Sequence, residues 1–166
     1  MWHLAVVTGA GDGIGKAIAI KLAKEGCNIA LVDINGKKVK SVESDLKSSY
    51  LSQTFHSFIC DASSESDIQR LVQSVQTSFN TDSIQLLFNN VGIAEITNTV
   101  LMGDMSKLKR TMDINVWSMI YGTRAFLPLL LKNPKTKQCY IINTGLYIFC
   151  CYALSEIMHN LYIFYL

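Results

Sequence analysis

The stretch VVTGAGDGIGKAIA, residues 6–19, joins an apolar run to an amphipathic segment through a turn dense in glycine. The run Leu4–Thr8 has the length and composition of a buried strand. Beyond the turn, apolar residues recur at helical spacing as far as Glu25, and Gly26 predicts the end of that helix. The first N–H groups of a helix have no internal acceptor, and the helix dipole adds partial positive charge there. Because glycines let a ligand approach the backbone closely, the stretch predicts an anion-binding turn rather than one built only for packing.

The rest of the chain alternates strand-like and helix-like segments. Further strands are predicted over Asn28–Asp33, Thr54–Cys60, residues 84–90 and Gln138–Asn143. Further helices are predicted over Val39–Leu46, Ile68–Phe79 and Lys107–Leu131. Ser64 followed by Asp67 is a capping pattern for the helix that precedes the fourth strand. Almost continuously apolar strands that alternate with helices are typical of a parallel sheet covered on both faces, so we expect one α/β domain over residues 1–144 and a short tail.

Composition and charge narrow the classes of function. Of the 166 residues, 49% are hydrophobic and 17% are charged, which predicts a single globular domain. A formal net charge of +2 gives no reason to expect capture of nucleic acid. The N-terminus has no basic region before its short apolar run, so we expect no signal peptide and a cytoplasmic protein. The cysteines lack metal-binding spacing and are predicted to be buried, reduced thiols; they are Cys27, Cys60, Cys139, Cys150 and Cys151.

Polar residues follow the predicted strands at the points where the strands end. Asp33 ends the second strand about twenty residues after the glycine turn, where a carboxylate can accept hydrogen bonds from ribose hydroxyls. Asp61 and Ala62 follow the third strand, and Asn89–Gly92 close the fourth. Ligands bind at the carboxyl edge of open α/β sheets, so these segments and the glycine turn predict one binding site.

These motifs, in this order, resemble the short-chain dehydrogenase/reductase family from about Leu4 to Asn143. The family's glycine motif is T-G-x-x-x-G-x-G, and its residues here are Thr8, Gly9, Gly13 and Gly15. The family's N-N-A-G motif is present, with valine in place of alanine, as Asn89, Asn90, Val91 and Gly92. Asp61 corresponds to the family's aspartate that contacts adenine, and Asn115 corresponds to its asparagine in the fourth helix.

The resemblance implies a Rossmann-type, doubly wound parallel sheet of about five strands in the order 3-2-1-4-5, with helices on both faces. It also implies an oxidoreductase that transfers a hydride between NAD or NADP and an alcohol or carbonyl substrate. The coenzyme-binding residues that it implies are Thr8, Gly9, Gly11, Asp12, Gly13, Ile14, Gly15, Asp33, Ile34, Asp61, Ala62, Asn89, Asn90, Val91 and Gly92. No metal ligands are expected.

Charge favours NAD over NADP as the coenzyme. Asp33 would repel a 2′-phosphate at close range, and Asp12 in the glycine turn adds to that repulsion. No arginine follows Asp33 directly, where a partner for the phosphate is expected. Lys37 and Lys38 are cations that could reach back toward the ribose, and they keep NADP open as the alternative.

The catalytic pattern that the family implies is incomplete in this chain. The family uses a serine after strand five and a Tyr-x-x-x-Lys pair, supported by the helix-four asparagine. Leu146 stands where the serine is expected and cannot donate a hydrogen bond, and the hydroxyl of Thr144 is two positions away. Tyr152 is followed at the lysine position by Glu156, whose charge would oppose ionisation of the phenol. Asn115 and Tyr152 are the catalytic candidates, and we expect slow or absent turnover; the alternative is an inactive dinucleotide-binding module or a non-productive truncated isoform.

The tail GLYIFCCYALSEIMHNLYIFYL, residues 145–166, departs from the family pattern. A truncated or alternatively spliced product would explain that departure, and the family's sixth and seventh strands are expected to be absent. A membrane anchor is one interpretation, but the apolar run Leu146–Leu154 is shorter than the about twenty residues of a spanning helix. A cover for the otherwise bare edge of strand five is the favoured interpretation. The expected partners are a small alcohol or carbonyl substrate and a second copy of the chain, associated through the Leu108–Leu131 helix.

Overall fold

The computed structural model describes residues 3–93, 104–134 and 136–145, together with the backbone of 161–165. Its strands are β1 (Leu4–Thr8), β2 (Asn28–Asp33), β3 (Phe55–Ile59), β4 (Leu86–Asn89), β5 (Cys139–Asn143) and β6 (Leu161–Tyr165). They form one parallel sheet in the order β3-β2-β1-β4-β5-β6. The first five strands confirm the predicted order 3-2-1-4-5 and begin and end within about two residues of the predicted bounds.

Three helices follow the first three strands: α1 (Gly13–Lys24), α2 (Gly36–Ser49) and α3 (Glu65–Phe79). Each begins at a polar cap, because the side chain of Asp12, Asn35 or Ser64 accepts a hydrogen bond from a backbone N–H of the first turn. The capping pattern predicted at Ser64 is confirmed. The helices α2 and α3 begin about three residues earlier than predicted, because their polar first turns carry no apolar signal.

The long helix predicted over Lys107–Leu131 is interrupted by one π-helical turn. It consists of α4 (Met105–Met112) and α5 (Ser118–Leu131), joined over Asp113–Trp117. Such single-turn insertions occur most often at functional sites. The periodicity of apolar residues did not reveal this turn, because the insertion shifts the helical register by only one residue. No helix in the described ranges is both long and apolar enough to cross a membrane.

Apolar side chains cover both faces of the sheet. On one face, α1 and α2 contribute residues such as Ala19 and Val39. On the other face, α3 and α5 contribute a second cluster, in which Phe126 is fully buried. Successive residues of a strand point to opposite faces, and Val6 and Val7 of β1 accordingly belong to different clusters. The predicted arrangement with helices on both faces is therefore confirmed.

The described sheet has one strand more than predicted, and the tail supplies it. β6 pairs in parallel with the whole of β5, from Cys139 opposite Leu161 to Asn143 opposite Tyr165. The sequence LYIFY is rich in aromatic residues that favour strands. Residues 144–160 separate the two strands in the sequence, which exceeds the dozen or so residues that a parallel connection requires. The tail therefore adds one strand to the expected sheet of about five, and the pairing agrees with the expectation that the tail covers the edge of β5.

The cysteines of the described residues are buried and free. They are Cys27, Cys60 and Cys139. Burial raises the pKa of the Cys60 thiol to about 12, because the low-dielectric interior disfavours the thiolate. The prediction of buried, reduced thiols is confirmed for these three, whereas Cys150 and Cys151 lie outside the described residues.

A close backbone contact holds the glycine turn against the start of α1. Gly9 has a φ of +67°, a conformation that residues with a side chain rarely adopt. A Cβ on Gly15 would lie 2.1 Å from the carbonyl oxygen of Gly9, far inside van der Waals contact. The turn is also tied to β2, because Ala10 N donates to Val32 O at 2.9 Å. These contacts fix where α1 begins above the edge of the sheet.

We expect Gly15→Ala to lower the free energy of unfolding by about 3 kcal/mol, because the added methyl group forces the turn or α1 to move. Gly145→Ala is the matched control, since nothing lies within 4 Å of a Cβ at that position. The control should change the free energy of unfolding by less than about 1 kcal/mol. Urea denaturation followed by circular dichroism measures both variants. Equal effects of the two substitutions would contradict the steric role of Gly15.

Candidate functional site

The ends of β1 and β4 are joined into one edge by hydrogen bonds between Thr8 and Asn90. The backbone N–H of Asn90 donates to Thr8 Oγ1 at 2.9 Å, and Asn90 Nδ2 donates to Thr8 O at 3.3 Å. Thr8 Oγ1 in turn donates to Phe88 O at 3.2 Å. A Cβ on Gly9 would lie 3.0 Å from Asn90 Nδ2, so Asn90 packs closely on the glycine turn. The two motifs predicted from sequence to share a site therefore contact each other directly.

The first turn of α1 leaves backbone donors open. The N–H of Gly13 donates to its cap, Asp12 Oδ1, at 2.8 Å, and the helical ladder starts where Lys16 N donates to Asp12 O. Within the described residues, the N–H groups of Ile14 and Gly15 have no acceptor. A Cβ on Gly13 would meet nothing within 4 Å, so the backbone is open to an approaching ligand. This is the geometry of an anion site at a helix N-terminus.

Asp33, at the carboxyl end of β2, faces the glycine turn. Its Oδ2 accepts a hydrogen bond from Gly11 N at 2.8 Å, and its Oδ1 accepts one from Asn35 N at 2.8 Å. A Cβ on Gly11 would lie 2.8 Å from Asp33 Oδ2, so only glycine fits between the carboxylate and the turn. An ionised carboxylate has about four lone-pair sites, and each oxygen keeps capacity for a further donor such as a hydroxyl group.

Asp61 and Ala62 follow β3, and Ile34 follows the adjacent strand β2. Asp61 Oδ1 accepts hydrogen bonds from the backbone N–H and the hydroxyl of Ser63, at 2.9 and 2.7 Å. Ala62 is buried, whereas Ile34 is 67% exposed. The loop after β3 is thereby held by its own aspartate, and Ile34 offers an open apolar surface beside Asp33.

Asn89 is enclosed where β4, β5 and α5 meet. Its Nδ2 donates to Asn143 Oδ1 at 2.8 Å and to Thr123 Oγ1 at 3.1 Å. A Cβ on Gly122 would lie 2.4 Å from Asn89 Oδ1, and the side chain of Asn89 is buried. The sequence did not identify Asn143, Thr123 and Gly122 as neighbours of Asn89. Asn143 could have been suspected, because it is a polar residue at the end of an apolar strand.

Asn115 lies in the π turn and holds the loop that follows β4. Its Oδ1 accepts from Ile93 N at 2.8 Å, and its Nδ2 donates to Ile93 O at 2.8 Å. A Cβ on Gly92 would lie 3.5 Å from Asn115 Oδ1, so the loop passes directly over the amide. The predicted catalytic asparagine is thus brought to the carboxyl edge of the sheet. Its predicted companion Tyr152 lies outside the described residues.

An ion pair between Lys38 and Asp12 lies beside these groups. Lys38 Nζ is 2.6 Å from Asp12 Oδ2, and this hydrogen bond lowers the pKa of Asp12 and raises that of Lys38. The structure therefore gathers the predicted residues of the glycine turn, β2, β3 and β4 along one edge of the sheet. The described residues contain no group of His, Cys, Asp or Glu side chains able to hold a metal ion.

Comparison with known proteins places these observations in context. A family model described as short chain dehydrogenase matches residues 3–146. Estradiol 17-beta-dehydrogenase 11 of Homo sapiens is 30% identical over 131 residues, which are 79% of this chain and 42% of that protein. The (S)-acetoin-forming diacetyl reductase of Staphylococcus epidermidis is 33% identical over 133 residues, which are 80% of this chain and 49% of that protein. The chain therefore spans about half the length of the curated relatives that it matches.

The solved structures agree with the sequence relatives. A short chain dehydrogenase/reductase from Burkholderia phymatum, solved in complex with NAD, superposes with a TM-score of 0.77 at 26% identity. The match covers 86% of this chain and 48% of that one. Because the family match extends over most of the sequence and the sheet has the same kind of fold, the chain belongs to the short-chain dehydrogenase/reductase family of oxidoreductases.

Proposed function

We propose that this chain binds a nicotinamide dinucleotide along the carboxyl edge of its sheet and takes NAD in preference to NADP. The observation that carries the proposal is the pair of N–H groups of Ile14 and Gly15, which have no acceptor within the described residues and follow a turn whose Gly11 N donates to the carboxylate of Asp33. Donors for a pyrophosphate and acceptors for a ribose thus share one edge. The complex of the Burkholderia phymatum relative with NAD supports the same class of ligand here.

The glycine turn fits a pyrophosphate. The oxygens of a pyrophosphate would accept hydrogen bonds from Ile14 N and Gly15 N, and the dipole of α1 would stabilise their negative charge. Gly13 leaves the approach to this turn free of any side chain. Asp12 brings a negative charge to the same turn, but the ammonium group of Lys38 balances it. The residues present therefore suit the ligand.

Asp33 supports the preference for NAD. Its two oxygens each accept one backbone hydrogen bond and keep capacity for the hydroxyl groups of a ribose. A 2′-phosphate in place of one hydroxyl would meet the negative charge of this carboxylate. No arginine follows Asp33 to offset that repulsion. Ile34, exposed next to it, offers an apolar surface on which the planar adenine can pack.

Hydride transfer is the chemistry that a bound nicotinamide would supply, to a carbonyl or from an alcohol. Among the described residues, Asn115 contributes to this chemistry by positioning. Its amide holds the loop at Ile93 beside the carboxyl edge of the sheet. The hydroxyl oxygen of Thr144 is buried and lies two positions before the expected serine, so we propose that it does not replace the missing donor. Leu146 stands at the serine position itself, and Glu156 stands at the lysine position. We therefore propose that turnover is slow or absent.

A coenzyme-binding module without turnover is the second candidate function. The substitutions at the serine and lysine positions favour it, because Leu146 cannot stabilise charge on a substrate oxygen and Glu156 opposes formation of a phenolate. The two candidates share the coenzyme site and differ only in whether bound NADH is consumed.

Fluorescence titration of the purified chain with NADH and, separately, with NADPH tests the proposal. We expect saturable binding of NADH and a dissociation constant at least about tenfold higher for NADPH, because of the charge of Asp33. Asp33→Asn should weaken NADH binding by about tenfold and narrow the difference between the coenzymes, since it removes the charge and one acceptor oxygen. Asp45→Asn, exposed toward the other end of α2, is the control and should change neither affinity.

Three results of this titration are informative. Binding of neither coenzyme contradicts the proposal. Binding of NADH without a loss of its absorbance in the presence of carbonyl compounds supports the binding module. Consumption of NADH under the same conditions supports an enzyme and contradicts the proposed loss of turnover.

We further propose that two copies of the chain associate through the helical stretch α4–α5. Large apolar side chains along this stretch are exposed, among them Met105, Met112, Trp117, Ile120 and Leu131. An apolar surface of this kind on a soluble domain is typical of an interface. The ring of Trp117 stacks on that of Tyr121 at 5.8 Å, which makes the middle of the surface rigid.

We expect the chain to sediment as a dimer and Ile120→Lys to shift it toward the monomer by at least about tenfold in dissociation constant, because a charge would be buried at the interface. Leu51→Lys is the matched control, since Leu51 is 90% exposed and lies outside α4 and α5. Sedimentation velocity over a range of concentrations measures both variants. A monomeric wild-type chain, or equal effects of the two substitutions, would rule out this interface.

A further inference from the structure

An ion pair connects the glycine turn with the first turn of α2. Lys38 Nζ lies 2.6 Å from Asp12 Oδ2, although the two residues are 26 positions apart in the chain. The sequence left undecided whether a lysine of α2 reaches back toward the ribose. In the structure Lys38 reaches back to the glycine turn, where Asp12 holds its ammonium group.

Both partners are positioned by the backbone. Asp12 is the N-cap of α1. The N–H of Lys38 donates to Asn35 Oδ1, the cap of α2, at 3.1 Å. A Cβ on Gly11 would lie 3.0 Å from Lys38 Cβ, so the aliphatic chain of Lys38 starts directly against the turn. The side chains of Lys38 and Asp12 are nevertheless 53% and 71% exposed, so a ligand can reach the pair.

Asp33 is the third charge around Gly11. The N–H of Gly11 donates to Asp33 Oδ2, and a Cβ on Gly11 would meet both Asp33 and Lys38. The pKa of Lys38 is raised mainly by its hydrogen bond to Asp12 and further by the charge of Asp33. The pKa of Asp12 is lowered mainly by Lys38, and the charge of Lys16 adds to that effect. A phosphate that approached Gly11 would therefore meet the carboxylates of both Asp33 and Asp12. Such a site suits uncharged hydroxyl groups and opposes a phosphate.

We propose that the Asp12–Lys38 ion pair is a second determinant of coenzyme choice, which acts beside Asp33. Asp12 occupies the ammonium group that would otherwise pair with the 2′-phosphate of NADP, and its own charge repels that phosphate. This inference rests on the proposed function, because it requires the adenosine ribose to lie at this edge. An ion pair with both partners exposed contributes little to stability, so its effect falls on selectivity rather than on folding.

A double-mutant cycle on Asp12 and Lys38 tests the inference, with NADH, 5′-AMP and adenosine 2′,5′-bisphosphate as the titrated ligands. Asp12→Asn keeps a capping side chain at the start of α1, and Asp12→Ser is a second variant with the same property. We expect Asp12→Asn to raise the affinity for the bisphosphate, relative to that for 5′-AMP, by about tenfold, because Lys38 is released and one repulsive charge is lost. In the Lys38→Gln background, Asp12→Asn should raise the affinity for the bisphosphate by only about twofold. There the substitution removes the repulsion by the Asp12 charge but has no ammonium group to release.

Lys37→Gln is the matched control, because Lys37 is the adjacent exposed lysine of the same helical turn. The full gain from Asp12→Asn should persist in the Lys37→Gln background. Equal gains with and without Lys38 overturn the inference and leave the proposed function intact, provided that the wild-type chain binds NADH. If Asp12→Asn no longer raises the affinity for the bisphosphate in the Lys37→Gln background, Lys37 and not Lys38 pairs with the phosphate. That result also overturns the inference. Failure of the wild-type chain to bind NADH overturns the proposed function together with this inference.

Discussion

The approach of Gly15 to the carbonyl oxygen of Gly9 is the constraint on which the rest of the site depends. It leaves no space for a side chain, so α1 begins directly on the turn that follows β1. The hydrogen bonds of Asn90 to Thr8 then fix this turn to the end of β4. Backbone packing therefore determines where the open N–H groups of α1 lie relative to the carboxylate of Asp33. The proposed anion and hydroxyl sites thus depend on backbone contacts more than on side chains.

The amide side chains near this edge bind other parts of the protein. Asn89 joins β4 to β5 and α5, Asn90 holds the glycine turn, and Asn115 holds the loop at Ile93. The Nδ2 groups of Asn89 and Asn90 donate these hydrogen bonds, and Asn115 both donates and accepts. The asparagines thus hold β1, β4, β5 and the loop at Ile93 together at the carboxyl edge of the sheet.

The sequence predicted the elements that depend on local pattern. The apolar runs predicted the first five strands, and the family resemblance predicted their order. The polar residues at the strand ends, predicted to share a site, lie along one edge of the sheet in the structure. The π turn at Asn115 could not be predicted, because one inserted residue leaves the apolar pattern almost unchanged. β6 was missed because its aromatic sequence was interpreted as part of an unrelated tail. The contact between Lys38 and Asp12 depends on how α2 packs beside the turn, which spacing along the chain does not contain.

The strand order has a consequence for how the chain is assembled during synthesis. β1 lies in the interior of the sheet, with β2 on one side and β4 on the other. The unit β3-β2-β1 is complete once residue 59 has left the ribosome, but the other edge of β1 stays unpaired until β4 follows at Leu86. Leu4 N, for example, finds its acceptor on Gln85, 81 residues later. Such long-range closure is slow compared with local pairing, so the nascent chain carries a strand edge with unpaired N–H and C=O groups through the synthesis of α3. The N-terminal half of this protein is therefore the part most exposed to wrong pairing before the fold is complete.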